Sequence, residues 1–128
     1  MSRLEHVNIT VADPKATAAL FEDLFGWHTR WEGTAINGGH TVHVGTEDSY
    51  VAVYTGPEGG KDQTAADNSY LMRGGLNHIG VVVSDLEATE AKVKAKGFET
   101  YSHADYEPGS RFYFNEENGV EIEVVCYD

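Results

Sequence analysis

The chain has 128 residues, a single cysteine and, with nine basic residues against 21 acidic ones, a net charge of −12. That length suits one domain, Cys126 has no partner for an internal disulfide, and the acidic excess argues against nucleic acid or an anionic membrane as a partner. No apolar run approaches the ~20 residues that span a bilayer, and Met1–His6 carries no apolar leader, so a cytoplasmic protein acting on a small molecule is expected.

The first predicted element is a strand, in which Val7, Ile9 and Val11 alternate with His6, Asn8 and Thr10. Asp13 then caps a helix with Pro14 at its first position. Leu20, Phe21, Leu24 and Phe25 form its apolar stripe, and Gly26 stops it. Short strands over 29–32, 41–44 and 50–55 follow, separated by the turn-like Asn37-Gly38-Gly39 and by residues 45–49. Residues 57–75, rich in Gly, Asp, Asn and Ala, read as a linker that serves as a lid over a site. A second strand carries Ile79, Val81 and Val83 on its apolar face; Asp85 caps the next helix and Gly97 ends it. Strands over 99–102, 111–114 and 121–126 complete the chain, with Glu116-Glu117-Asn118-Gly119 as a hairpin turn.

The two halves are one pattern written twice. Displaced by 72 positions, Leu4-Glu5-His6-Val7-Asn8-Ile9-Thr10-Val11-Ala12-Asp13 falls on Leu76-Asn77-His78-Ile79-Gly80-Val81-Val82-Val83-Ser84-Asp85, and Ala16-Thr17 on Ala88-Thr89. The expected fold is α+β: two tandem βαβββ modules, 1–56 and 76–128, joined by 57–75 into a single domain. Paired within one chain or between two chains, they form a curved, mostly antiparallel sheet around a cavity, with the helices outside.

Strand alternation then selects the residues of the concave face. With Val7, Ile9 and Val11 under the helix, His6, Asn8 and Thr10 face the cavity; His78 does so from the second half. In the last strand Ile122 and Val124 go to the helix side, leaving Glu121 and Glu123 inside. Two imidazoles and a carboxylate on one concave face suit a divalent metal with open coordination positions. His43, on the face opposite Val42 and Val44, is a candidate acid/base. Tyr113 lies between the core positions Phe112 and Phe114, so its phenol faces inward. Tyr50 and Tyr54 flank Ala52 and are placed to wall a substrate, or equally to pack at a sheet edge. Trp27 and Trp31 read as core or dimer contacts, and His40 and His103 as surface loop residues. Arg30, Lys61, Arg73 and Arg111 are the basic residues left as candidates for the pocket.

This double βαβββ repeat with a histidine opening each half resembles the vicinal oxygen chelate superfamily, which includes glyoxalase I, extradiol dioxygenases, fosfomycin-resistance enzymes, methylmalonyl-CoA epimerase and bleomycin-resistance proteins. The stretch Phe112-Tyr113-Phe114-Asn115-Glu116-Glu117-Asn118-Gly119-Val120-Glu121-Ile122-Glu123 is similar to the family signature of an aromatic strand, a turn and a strand ending in the ligand Glu, with Asn-Glu-Glu-Asn-Gly as a modest departure in the turn. The resemblance places the ligand on Glu123 and implies a metal site of His6, His78 and Glu123. The ion would be Fe(II), Mn(II), Zn(II) or Ni(II). Glyoxalase I and the epimerase add a fourth ligand, and the matching position here is Ala52, which cannot ligate. The resemblance thus implies either a homodimeric metal enzyme, with His43 and Tyr113 as catalytic groups and Asn8, Tyr50, Ala52 and Tyr54 contacting substrate, or a metal-free binder of a cationic drug.

Overall fold

Alternation and capping produce the first strand and helix where the sequence puts them. Strand β1 spans His6–Thr10 and helix α1 Pro14–Phe25. The Asp13 carboxylate accepts from the Ala16 N–H at 3.2 Å, and Gly26, at φ 72°, donates its N–H to the Glu22 carbonyl. This conformation suits glycine, whose missing Cβ removes the left-handed penalty. Strands β2 (His28–Thr34), β3 (His40–Gly45) and β4 (Tyr50–Thr55) follow. The second module repeats the order as β5 (His78–Val82), α2 (Leu86–Ala95), β6 (Thr100–Tyr106), β7 (Gly109–Asn115) and β8 (Glu121–Tyr127). The computed structural model describes residues 1–61, 66–106 and 109–127.

The chain divides into two units, Met1–Lys61 and Asp62–Asp128. Each contains one unclosed four-stranded sheet, ordered β1-β4-β3-β2 in the first and β5-β8-β7-β6 in the second. The first strand pairs parallel with the last, and the other pairings are antiparallel. This is the predicted α+β fold of two βαβββ modules. In the first unit, Phe21 and Leu24 of α1 are buried with Val42, Val44, Val51 and Val53. In the second, Val93 of α2 is buried with Phe112, Phe114, Ile122 and Val124. Packing one helix on one sheet face leaves the other face open, and that face carries the polar half of each alternating strand.

Three expectations need correction. The outer strands run past their side-chain alternation because backbone pairing continues beyond it: β2 extends to Thr34 and β6 to Tyr106. His40 and His103 therefore lie in strands, not loops, paired with Glu32 at 3.0 Å and Glu90 at 2.6 Å. The segment 57–75 includes a 3₁₀ helix, Ala66–Leu71; its residues 62–65 lie outside the described residues.

Candidate functional site

The open face of the first sheet is built by register. His6 lies beside Tyr50, Asn8 beside Ala52 and Thr10 beside Tyr54, while His43 stands opposite Ala52. The Tyr50 ring stacks on His6 at 4.9 Å and on His43 at 4.5 Å, with the Arg30 guanidinium 4.6 Å over it. Trp31 continues the row, 5.2 Å from His43. A bulge between Thr29 and Trp31 inserts one residue into β2 and aims Trp31 at this face, so it is not in the core; it is 52% exposed. Trp27 packs on Phe21 and Phe25. Glu5 Oε1 lies 2.9 Å from His6 Nδ1 and accepts from the Tyr50 hydroxyl at 3.3 Å. The His6 bond, with help from Tyr50, holds the Glu5 carboxyl below its usual range despite some desolvation. Burial lowers the pKa of His43, helped by the positive charges of His6 and Arg30, while burial and Glu5 raise that of Tyr50. Tyr54 donates to the Ile36 carbonyl at 3.0 Å and so braces a loop, and Ala52 is buried with no donor to offer.

The open face of the second sheet holds a tighter polar cluster. Parallel register sets His78 beside Glu121 and Gly80 beside Glu123, and Tyr113 is opposite Glu123. His78 Nε2 lies 3.0 Å from Glu123 Oε1, and Arg111 donates to Glu123 Oε2 at 2.8 Å. Tyr113 meets the His78 ring edge-on at 5.6 Å and stacks on Tyr101 at 6.2 Å. Glu121, 7% exposed, accepts from Tyr70 at 2.5 Å and from Tyr101 at 2.6 Å. Burial first, then the bond to Glu121, pushes both phenols well above their usual range. A cavity of about 350 Å³ is lined by Tyr70, Ser102, Ala104, Arg111, Tyr113 and Glu121.

Over residues 3–124 the sequence matches the family model of the Glyoxalase/Bleomycin resistance protein/Dioxygenase superfamily. The chain belongs to this superfamily. No curated protein matches the sequence. Among solved structures, the superfamily fold is shared with a glyoxylase/bleomycin resistance protein/dioxygenase domain from Frankia sp. EAN1pec, at 17% identity and a TM-score of 0.81, covering 100% of this chain and 93% of that one. It is shared with the fosfomycin resistance protein FosX from Listeria monocytogenes, solved with Mn(II) and sulfate, at 16% identity and a TM-score of 0.75, covering 100% and 94%. An antibiotic-binding protein from Streptomyces sp. CB03234 aligns at 11% identity and a TM-score of 0.69, covering 100% and 98%.

His78 Nε2 and Glu123 Oε1 are donor types that a divalent cation accepts. Two ligand atoms bound side by side at ~2.1 Å around an octahedral ion lie about 3.0 Å apart, the separation of His78 Nε2 and Glu123 Oε1. In both superfamily modules the histidine Nδ1 is already engaged, by Glu5 for His6 and by Tyr70 for His78, so Nε2 is the nitrogen left to turn elsewhere, and in His78 it faces Glu123. Among the described residues no group of three or more His, Cys, Asp or Glu side chains is gathered as a metal cluster; His78 and Glu123 are a two-donor edge. Of the predicted residues, the first sheet brings together His6, Asn8, His43, Tyr50, Ala52 and Tyr54, and the second His78, Tyr113 and Glu123. Sequence reasoning missed Glu5, Trp31, Tyr70, Tyr101 and the bonding of Glu121. Parity along β8 already turned Glu121 inward, but Tyr70 sits in a segment with no periodic signal.

Proposed function

We propose that the chain is a metal-dependent enzyme that holds a divalent ion on His6, His78 and Glu123 and acts on a small substrate with adjacent oxygens. The supporting observation is the edge formed by His78 Nε2 and Glu123 Oε1, with Nδ1 of the same ring occupied. Fe(II), Mn(II), Zn(II) or Ni(II) suits two imidazoles and a carboxylate. When bound, such an ion supplies Lewis acidity toward substrate oxygens. Arg111 holds the second oxygen of Glu123 and so fixes the carboxylate's rotation. His43, with its pKa lowered by burial, is neutral at physiological pH and able to take a proton. Tyr113 presents a phenol for hydrogen bonding to substrate, and Asn8, Tyr50 and Tyr54 wall the first sheet's side. Ala52, buried beside His43, adds no fourth ligand.

The test is a titration of chelator-stripped protein with Mn(II) and Zn(II), followed by calorimetry and elemental analysis. Stoichiometric uptake is expected, with loss in H6A, H78A and E123A. Equal, substoichiometric metal in all four proteins would refute the proposal.

A second reading has its own support. The stacked row of His6, Tyr50, His43 and Trp31 offers ring faces to a planar ligand, and the net charge of −12 suits a cationic one. Binding of a cationic aromatic compound that is insensitive to EDTA and to H78A would favour a metal-free binding protein.

A further inference from the structure

The Tyr70 phenol links two groups. Its oxygen lies 2.5 Å from Glu121 Oε1 and 3.0 Å from His78 Nδ1. A phenol has one proton to give. The shorter, charge-assisted bond to the buried carboxylate claims it, and Tyr101, 2.6 Å from Glu121 Oε2, satisfies the other oxygen. The Tyr70 oxygen is therefore an acceptor toward His78, and the ring hydrogen sits on Nδ1. Nε2 is left with its lone pair pointing at Glu123 Oε1, 3.0 Å away. Two acceptors set face to face repel, and a cation, whether a proton or a metal ion, relieves the repulsion when it sits between them. In the first unit Glu5 does the same for His6 without an intermediary, at 2.9 Å from Nδ1.

Resting on the metal site proposed above, we propose that Tyr70 and Glu121 are positioning residues: Glu121, acting through Tyr70, locks His78 in the Nδ1–H tautomer and reserves Nε2 as a ligand. The 3₁₀ helix between the modules thus contributes to the site a group that neither repeated module carries.

The experiment reads the tautomer in metal-free protein by ¹⁵N NMR of the imidazole nitrogens at alkaline pH, and metal affinity by Mn(II) and Zn(II) calorimetry. Tyr70 is 51% exposed, so Y70F is expected to fold. Wild type shows Nδ1–H; Y70F shifts toward Nε2–H, the form that bonds Glu123, and binds metal about 10–100-fold more weakly, the usual effect of losing such a partner. Y101F keeps the Tyr70–Glu121 bond and the wild-type tautomer. An Nε2–H ring in wild type, an unshifted tautomer in Y70F, or unchanged affinity in Y70F overturns the proposal. A wild-type protein that takes up no metal, yet whose tautomer moves in Y70F, sinks the metal reading alone and supports the relay.

Discussion

Glu116 stands in the turn that feeds β8, the strand carrying Glu121 and Glu123. It is 3% exposed, and its carboxylate accepts from the N–H of Asn118 at 2.6 Å, the N–H of Val120 at 3.1 Å and the Asn118 side-chain amide at 2.9 Å. Hydrogen bonds to a charged group contribute roughly 1.5–3 kcal/mol each. Asn118 and Val120 are half-buried, so water reaches their donors once the carboxylate is gone, and the low end of the range applies. With three such bonds, E116A is then expected to cost about 4.5 kcal/mol. E116Q keeps an acceptor for the backbone donors and forces only an Asn118 amide flip, at about 1 kcal/mol. With an unfolding entropy near 2.1 cal/mol/K per residue, 1 kcal/mol moves the Tm of the 128-residue chain by about 4 °C. Thermal melts by circular dichroism should therefore put E116A about 18 °C below wild type and E116Q about 4 °C below. Because β8 loses its anchored start, E116A should also bind metal more weakly. An E116A melt within 4 °C of wild type, or an E116Q melt as low as that of E116A, would refute the reasoning.

Other expectations are simpler. Burial and positive neighbours penalise protonated His43, so well above pH 6.5 the residue contributes nothing to the pH dependence. Below that value the unfolded chain takes up the proton first and stability falls; H43Q should flatten this acid limb in Tm measured against pH. F112A empties a fully buried core site of the second sheet and should cost about 3–5 kcal/mol in urea unfolding. W31A removes a ring face from the first sheet and should weaken binding of a planar aromatic probe by about 2–10-fold in fluorescence titration, with little change in Tm.

Much of the fold was readable because its determinants are local. Asp13 and Asp85 cap the helices as their positions before apolar stripes require, and valine alternation sorted His6, His78, Tyr113, Glu121 and Glu123 to the open faces. Alternation fails where a strand is irregular. One inserted residue in β2 puts Trp31 on the open face and not in the core, and a similar irregularity follows Tyr101, near the exposed His103 that bonds Glu90. Tyr70 was unreadable for another reason. Its role depends on a contact with Glu121, 51 positions away, from a segment whose composition suggests only a connection. The partners of a titratable side chain are long-range facts, and periodicity carries none of them.

The two bulges have a consequence for how this scaffold diversifies. They begin at Thr29 and Tyr101, equivalent positions in the duplicated pattern, and each adds one residue to the outermost strand. A single-residue insertion or deletion there exchanges which side chains of the outer strand lie on the open face, while the other three strands of each sheet keep their pairing. The strands that carry the proposed ligands and the strand that tolerates the irregularity are thereby separate parts of each sheet. Evolution, or an engineer, can rewrite the rim and leave the histidine and glutamate strands undisturbed.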